Sequence, residues 1–275
     1  MEMMSAILTE QGFRTQLDQY AVYRTINEGC SNAVAIARHK LTGADVAIKC
    51  IQKKKYARLQ KEDRVSEAEA LELCKESAYI VNLIEKFTLF GEIYLVTKFA
   101  AGGDLLQYCL NSEEKSIAAG KPGWLSADQV KHIFNQLALG LKDMHDFSLV
   151  HRDLKLLNVF LCDSSDMPRV KIGDLGLTVQ LAPGETIVKK AGTIGFMAPE
   201  VVQQQPSGFK SDIYSLGIIL YILFSTRLPF DTPCYEGDRI LETINQEIPY
   251  EGPLWEQVDP LAIDLLKNML VVDPA

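Results

Sequence analysis

Apolar and polar residues alternate along much of the first part of the chain. Five short runs in this part are built around β-branched or aromatic residues: Tyr20–Ile26, Ala33–Ala37, Ala44–Ile51, Ile80–Phe87 and Glu92–Phe99. Runs of this length, separated by polar turns, are typical of strands that are joined by hairpins. The pattern therefore predicts a small antiparallel sheet.

The periodicity becomes helical after Ala100–Asp104, a stretch of small and polar residues. We interpret this stretch as the junction between a small lobe with an antiparallel β-sheet and one helix and a larger, mainly helical lobe, which together make an α+β fold. The predicted divisions are an N-terminal extension at 1–19, the small lobe at 20–99 and the large lobe at 100–275.

Helix signals of different kinds mark both lobes. Ser126 and Gln129 have the spacing of a capping box. One apolar stripe follows them along the chain: Val130, Ile133, Phe134, Leu137, Leu141 and Met144. In the small lobe, the charged segment Lys53–Glu76 has apolar residues at the spacing of one helix face. Asn111–Trp124 is rich in Lys, Glu, Ser and Gly, which predicts an exposed loop.

The bulk composition limits the classes of partner. The net charge is -8 and the pI is about 5.1, whereas non-specific binding to nucleic acid requires a basic surface. The longest apolar stretch, Leu216–Phe224, is much shorter than the roughly 20 residues of a membrane span, and we interpret it as a buried helix. We therefore expect neither nucleic acid nor a membrane as a partner.

Cysteine usage and the N-terminal sequence indicate the compartment. The six cysteines are scattered, without the paired spacing of a zinc site or of a disulfide framework. No basic stretch followed by an apolar run precedes Tyr20, so a secretory signal peptide is not predicted. These features favour a cytoplasmic protein, with the nucleus as the alternative.

The first candidate for chemistry is Lys49, in the strand motif Val46-Ala-Ile-Lys49. A lysine on a strand is usually only a solvated side chain. Lys49, however, has the strand parity of Ala47 and is expected to face the interior, where an unpaired charge is costly. Glu67 is the preferred partner because apolar residues follow it at core spacing, and Glu69 is the alternative.

A second group of candidates lies within one short loop, His151–Asn158. Asp153 is suited to accept a proton from a hydroxyl, and Lys155 is suited to neutralise a moving phosphoryl group. Asn158 and Asp174 supply oxygen ligands of the kind that Mg²⁺ prefers. Each of these residues alone could be an ordinary turn residue, but together with the strand lysine they indicate phosphoryl transfer.

These motifs, in this order, resemble the signature set of the eukaryotic protein kinases, and the resemblance extends from Tyr20 to the end of the chain. Val46–Lys49 is identical to the strand motif of the family, and Ala198–Glu200 closes its activation segment. Lys155 and Thr193 are the residues that resemble those of serine/threonine kinases, as opposed to tyrosine kinases. The resemblance implies the bilobal kinase fold, transfer of the γ-phosphate of ATP to a protein hydroxyl, and Mg²⁺ as the cofactor.

The resemblance also implies roles for individual residues. Four residues would form the catalytic set: Asp153, Lys155, Lys49 and Glu67. Two would hold the metal: Asn158 and Asp174. The implied nucleotide contacts are Ile26, Asn27, Gly29, Val34, Ala47, Lys49, Thr97, Lys98, Phe99, Ala100, Asp104 and Phe160. Within this set Lys98–Ala100 would be the hinge that binds adenine through backbone groups, and Asp212 resembles the buried aspartate that supports the catalytic loop.

The chain departs from the family at the loop that covers the phosphates. The family pattern has three glycines, whereas Asn27–Val34 keeps only Gly29. Side chains at the other two positions would crowd the phosphates, so weakened ATP binding is expected. The alternative function is therefore a pseudokinase, which is a scaffold with little or no nucleotide turnover.

Subgroup and regulation are predicted from fewer residues. Leu139–Asp146 and Asn158–Leu161 look most like the NIMA-related kinases, with a calmodulin-kinase-like relative as the alternative. Thr186 is the nearest hydroxyl residue upstream in the activation segment, and Arg152 would pair with a phosphate on it. The chain ends before the arginine that usually pairs with Glu200 in the family, so we expect a fragment that lacks the last helices.

Overall fold

The computed structural model describes residues 15–27, 32–52, 65–118, 120, 125–230 and 247–272 of the chain. The described part of the chain divides into two compact units. The small unit contains the residues up to 76 together with 81–99, and the large unit contains 77–80 and the residues from 100 onward.

The small unit is built around an antiparallel sheet. Its strands are β1 (Tyr20–Asn27), β2 (Asn32–His39), β3 (Asp45–Gln52), β4 (Leu83–Leu89) and β5 (Glu92–Lys98). They lie in the order β1-β2-β3-β5-β4, and every neighbouring pair is antiparallel. Helix α1 (Glu67–Leu73) packs against β4. The sheet and the helix confirm the fold class predicted for this part of the chain.

The two faces of the sheet carry different side chains. An apolar cluster covers one face, and its buried members are Leu17, Tyr20, Ala37, Val46, Ile48, Phe87, Tyr94 and Val96. Ala47 and Lys49 alternate with the cluster members of β3, so they lie on the other face. The strand register pairs Ala47 with Thr97 and Lys49 with Val34. These four residues therefore share one face of the sheet.

The two edge strands of the sheet approach each other at one end. Tyr20, at the start of β1, donates a hydrogen bond from its hydroxyl to Glu85 Oε1 in β4 at 2.6 Å, although β1 and β4 are opposite edges. The 3₁₀ helix Gln16–Gln19 precedes Tyr20 and places Leu17 in the apolar cluster. The last residues of the predicted N-terminal extension therefore contribute to the sheet packing, whereas residues 1–14 lie outside the described residues.

The large unit is mainly helical. Its described helices are α2 (Leu105–Ala118), α3 (Ala127–Asp146), α4 (Pro199–Val202), α5 (Phe209–Ser225) and α6 (Pro260–Met269). Four short strands form two ribbons, in which β6 (Leu149–Val150) pairs with β9 (Val179–Gln180) and β7 (Val159–Leu161) pairs with β8 (Val170–Ile172). Helix α5 packs against α3 and α6 and is buried along most of its length, which confirms the buried helix predicted there.

Helix α3 begins at the predicted capping box. The Gln129 N–H donates to Ser126 Oγ at 3.3 Å, and the Ser126 N–H donates to Gln129 Oε1 at 2.9 Å. Most of the predicted apolar stripe is buried: Val130, Ile133, Leu137, Leu141 and Met144. Within the described parts of the chain, no helix is long and apolar enough to cross a membrane.

The first part of the segment Asn111–Trp124 is not the predicted loop, because helix α2 extends through it to Ala118. Side-chain contacts one turn apart support the helix there. Gln107 Nε2 donates to Asn111 Oδ1 at 2.8 Å, and Ser112 Oγ donates to a carbonyl of the preceding turn at 2.8 Å. Glu and Lys suit an exposed helix as well as a loop, so composition alone does not distinguish the two.

The strand that is predicted at Ile80–Phe87 begins instead at Leu83. Ile80 is completely buried and pairs with Ile172 in a single parallel bridge within the large unit. Lys171 Nζ also donates to the carbonyl of Ile80 at 3.0 Å. The start of the apolar run is therefore used in the packing of the large unit and not in the sheet.

We expect Tyr20→Phe to lower the free energy of unfolding of the sheet by about 1 kcal/mol, because it removes one hydrogen bond and keeps the ring packing. Urea denaturation measures this change. Tyr79→Phe is the control, since the Tyr79 hydroxyl makes no hydrogen bond within the described residues. Equal stability of wild type and Tyr20→Phe would contradict a stabilising role for the contact with Glu85.

Candidate active site

In the small unit, Lys49 Nζ lies 2.8 Å from both carboxylate oxygens of Glu67. The Lys49 and Glu67 side chains are only 16% and 9% exposed, so water screens this ion pair weakly. Glu69, the alternative partner, instead accepts a hydrogen bond from the Ser66 N–H at 2.9 Å. That bond is one half of a capping box at the start of α1.

Other predicted nucleotide contacts of the small unit lie on the same sheet face as Lys49: Val34, Ala47 and Thr97. Ile26, near the end of β1, is 55% exposed. Gly29 lies outside the described residues, and so does the side chain of Asn27. Residues 28–31, in the loop where the family glycines are missing, lie outside the described residues.

The predicted hinge has one backbone amide that is left for a ligand. The Lys98 N–H donates to the Asn82 carbonyl at 3.1 Å, and the Phe99 N–H donates to the Asp45 carbonyl at 3.3 Å. Within the described residues, the Ala100 N–H makes no backbone hydrogen bond. Of the three hinge amides, that of Ala100 is therefore the one suited to bind an adenine.

Asp104 and Phe160 are neighbours in the large unit, where a single antiparallel bridge joins them. Asp104 Oδ1 accepts a hydrogen bond from the Gln107 N–H at 2.9 Å and so caps the start of helix α2. Asp104 therefore has a structural role as a helix cap, whereas the sequence predicts it only as a nucleotide contact.

Donors hold both carboxylate oxygens of Asp153. Thr193 Oγ1 donates to Oδ1 at 2.6 Å, and Lys155 Nζ donates to Oδ2 at 2.9 Å. Asn158 Nδ2 donates to the same Oδ2 at 3.2 Å. Lys155 Nζ also donates to Thr193 Oγ1 at 2.7 Å, which closes the network. The Asp153 carboxylate therefore has a fixed orientation within the large unit.

Asn158 and Asp174 lie at the same end of the ribbon formed by β7 and β8. Val159 pairs with Ile172 in this ribbon, and the Gly173 N–H donates to the Asn158 carbonyl at 2.9 Å. Asn158 directly precedes β7, and Asp174 follows β8 by two residues. The ribbon thus brings together the two residues that the sequence predicts as metal ligands.

The donor set of these two residues fits a magnesium ion. The Asp153 carbonyl can only accept a hydrogen bond, so the amide nitrogen of Asn158, at 2.8 Å, must face it. The oxygen Oδ1 of Asn158 therefore points away from Asp153, and the side chain of Asp174 is exposed. Mg²⁺ typically takes one or two protein oxygens together with phosphate oxygens. Consistent with so small a set, the described residues contain no cluster of three His, Cys, Asp or Glu.

Asp212, a completely buried residue of α5, fixes the backbone of the catalytic loop, His151–Asn158. Its Oδ2 accepts a hydrogen bond from the His151 N–H at 2.8 Å, and its Oδ1 accepts one from the Arg152 N–H at 2.9 Å. Arg152 has a φ of 70°, a left-handed conformation that is uncommon for a residue with a side chain. The two hydrogen bonds stabilise this turn.

The imidazole of His151 links the loop to the residue before Asp174. Nδ1 accepts a hydrogen bond from the Asp153 N–H at 3.2 Å, and Nε2 lies 3.1 Å from the Gly173 carbonyl. Because a carbonyl only accepts hydrogen bonds, the ring hydrogen must be on Nε2. The neutral ring is completely buried and positions Gly173 relative to Asp153.

Two residues of this site, His145 and Gly192, are not among the site residues predicted from the sequence. His145 Nε2 lies 3.1 Å from Asp212 Oδ2, across 67 positions of sequence. Gly192 has a φ of 120°, and a Cβ at this position would lie 2.4 Å from the Arg152 carbonyl oxygen. Both roles depend on contacts between distant segments, which no local sequence pattern reveals.

Glu200, in the short helix α4, is only 6% exposed. Burial raises the pKa of its carboxyl group above the ordinary value. Within the described residues, no cation pairs with this carboxyl.

Comparison with known proteins identifies the relatives of the chain. The family model of the protein kinase domain matches residues 20–275. Sperm motility kinase 2A of Mus musculus is 34% identical over 79% of the chain, and the match covers 40% of that protein. Serine/threonine-protein kinase PLK4 of Xenopus laevis is 30% identical over 94% of the chain and 26% of its own length. Serine/threonine-protein kinase SIK1 of Mus musculus is 31% identical over 93% of the chain, and the match covers 31% of that protein.

The chain thus spans less than half the length of the curated relatives that it matches here. Two of these relatives are named as serine/threonine-protein kinases, in agreement with the resemblance found in the motifs. They do not test the NIMA-related subgroup, which stays a prediction.

We expect Asp212→Asn to lower the free energy of unfolding by about 2–3 kcal/mol, because the new amide nitrogen would face a buried backbone N–H and leave it unsatisfied. Urea denaturation measures this loss. Asp146→Asn is the matched control, since Asp146 pairs with Lys142 on the exposed surface of α3 and should contribute less than about 0.5 kcal/mol. Similar losses in the two variants would contradict the role of Asp212.

We expect Glu200→Gln to raise the melting temperature at neutral pH. The raised pKa of Glu200 means that folding favours the protonated carboxyl, so the cost of the ionised form appears as the pH rises through the folded-state pKa. The gain should therefore shrink as the pH falls toward the ordinary pKa of 4.5. Thermal unfolding across this pH range measures the effect, with the exposed Glu256→Gln as the control. A pH-independent difference would contradict it.

Proposed function

The chain belongs to the protein kinase family, and we propose that it is an active serine/threonine kinase that transfers the γ-phosphate of ATP to a hydroxyl of a protein substrate. The observation that carries this proposal is the closed network around Asp153. It joins a carboxylate, an ammonium group and a threonine hydroxyl at hydrogen-bond distances of 2.6–2.9 Å. Phosphoryl transfer requires this kind of positioning more than covalent catalysis.

Asp153 is the proposed proton acceptor. As the substrate oxygen attacks, a new bond forms between this oxygen and the γ-phosphorus, while the bond from the γ-phosphorus to the bridging oxygen breaks and ADP leaves. The hydroxyl proton passes to the Asp153 carboxylate, which Thr193 and Lys155 hold in one orientation. The ammonium group of Lys155 offsets negative charge near the transferred group.

Asn158 and Asp174 are the proposed ligands of Mg²⁺, and a bound Mg²⁺ would neutralise charge on the phosphate oxygens. In the small unit, Lys49 is the proposed phosphate contact. Its ion pair with Glu67 limits the rotamers of the lysine and keeps its charge in a nearly buried position. The chain's own contribution is therefore to fix two oxygen ligands and one ammonium group in advance of binding.

The serine/threonine class is supported by Thr193 and Lys155, and by two relatives that carry this class in their names. Thr193 Oγ1 lies within hydrogen-bond distance of both groups, 2.6 Å from Asp153 Oδ1 and 2.7 Å from Lys155 Nζ. The scattered cysteines support a cytoplasmic location.

We expect Asp153→Asn to lower the rate of phosphate transfer by at least about 100-fold, because the amide cannot accept the proton. ATP binding should change little, since Asp153 is not a proposed phosphate or metal contact. Transfer from radiolabelled ATP to casein measures the first effect, and the Mg²⁺-dependent thermal shift with ATP measures the second. The exposed Asp146→Asn is the control, and it should keep wild-type activity.

Wild-type activity in Asp153→Asn would contradict the role of Asp153. A wild-type protein with neither an ATP-dependent thermal shift nor phosphate transfer would contradict the kinase proposal and would support the pseudokinase alternative, in which Asn27–Val34 prevents nucleotide binding.

A further inference from the structure

Exposed cations precede Thr193 on the surface of the large unit. Lys189 and Lys190 are both exposed, and Lys190 lies three residues before the threonine. Three residues of fully extended chain span at most about 11 Å. The backbone of Lys190 is therefore within about 11 Å of Thr193, whose hydroxyl donates to the proposed proton acceptor, Asp153, at 2.6 Å.

Arg227 approaches the same region from the loop after helix α5. The side chain of the next residue, Leu228, lies beside Gly195, because a Cβ on Gly195 would lie 3.6 Å from Leu228 Cδ1. Gly195 follows Thr193 by two residues. The Arg227 N–H donates to Ser225 Oγ at 3.3 Å, and the same hydroxyl lies 2.9 Å from the Arg227 carbonyl oxygen. This turn presents the exposed Arg227 next to the segment that carries Thr193.

Neighbouring carboxylates do not neutralise these cations. The two described carboxylates nearest to Lys190 in sequence are those of Glu185 and Glu200. Glu185 accepts a hydrogen bond at 2.7 Å from a main-chain N–H of its own turn, and Glu200 is only 6% exposed. Within the described residues, no ion pair joins a carboxylate to Lys190 or Arg227. This part of the described surface is therefore locally positive.

The catalytic loop, His151–Asn158, offers little attraction to a basic side chain. Its single carboxylate, that of Asp153, accepts hydrogen bonds from Thr193 and from the ammonium group of Lys155. Leu157, which is 50% exposed, is apolar. An acidic residue beside the acceptor hydroxyl of a substrate would thus meet cations of opposite sign, whereas a basic residue would be repelled by them.

We propose that Lys190 and Arg227 are specificity-determining residues, and that the chain favours a substrate hydroxyl flanked by anionic side chains. The anionic group is either the carboxylate of Asp or Glu or a phosphate that the substrate already carries. This inference rests on the proposed kinase function and names the substrate class for it. The net charge of the chain is -8, so its long-range field favours a basic substrate. An acidic preference must therefore come from the local cations.

The test uses peptides that share one central serine and carry aspartate, alanine or lysine at the three positions on each side. We expect the wild-type kcat/KM to be at least about tenfold higher for the aspartate peptide than for the lysine peptide at low salt. The ratio should shrink as the salt concentration rises, because salt screens exposed charges. A fourth peptide, with phosphoserine in place of one aspartate, shows which source of negative charge is preferred.

Charge reversal assigns the preference to the two cations. The double variant Lys190→Glu with Arg227→Glu should react faster with the lysine peptide than with the aspartate peptide. The matched control is Lys115→Glu with Lys131→Glu, which makes the same change in net charge at exposed positions of α2 and α3 and should keep the wild-type preference. If the double variant does not fold, Lys190→Met and Arg227→Met are tested singly, and each should lower the ratio by about threefold or more.

Peptide binding provides a readout that requires no turnover. Fluorescence anisotropy measures the affinity of labelled peptides in which alanine replaces the central serine. The aspartate form should bind more tightly than the lysine form to wild type, and the order should reverse in the charge-reversed variant. This result in a protein without transfer activity would support the acidic-substrate surface and would contradict only the proposed kinase function.

A wild-type kcat/KM for the lysine peptide that equals or exceeds the value for the aspartate peptide would overturn the proposal. An acidic preference that persists in the charge-reversed variant would also overturn it. The same holds for a preference that the control variant loses to the same extent, since net charge and not Lys190 and Arg227 would then determine it.

Discussion

The geometry of the large unit depends on one buried carboxylate, that of Asp212. A completely buried charge is costly unless hydrogen bonds compensate it, and here two backbone N–H groups, of His151 and Arg152, do so at 2.8 and 2.9 Å. In return, the carboxylate holds Arg152 at a φ of 70°, which the chain would otherwise avoid. The turn then directs His151 toward Gly173 and places Asp153 next to Lys155.

The same turn determines where residues 189–193 lie. Once Arg152 has its left-handed conformation, its guanidinium meets the Lys189 carbonyl and its own carbonyl lies close to Gly192. Thr193 follows and completes the donors around Asp153. A single backbone conformation therefore connects the buried core of α5 with the group that we propose as the proton acceptor. Packing and chemistry are not separable at this loop, because the hydrogen bonds that stabilise it also orient the reacting side chain.

The sequence predicts the parts of this structure that depend on local pattern. The capping box at Ser126, the buried helix α5 and the strands of the antiparallel sheet are confirmed, since each of these elements has its own local sequence pattern. The loop predicted at Asn111–Trp124 is wrong in its first part because polar helix formers do not reveal whether a segment is helical. Gly192 illustrates a second limit: a close approach between distant backbones has no sequence signature.

The choice between Glu67 and Glu69 shows that a local signal can settle a distant contact. Ser66 and Glu69 have capping-box spacing, and the structure uses it, because Glu69 accepts from the Ser66 N–H at 2.9 Å. Residues two positions apart are about 200° apart around a helix. If the cap holds Glu69 at the helix terminus, Glu67 must therefore project in a different direction. This direction leads to Lys49, and the box fixes the register of the helix that carries the partner of the lysine.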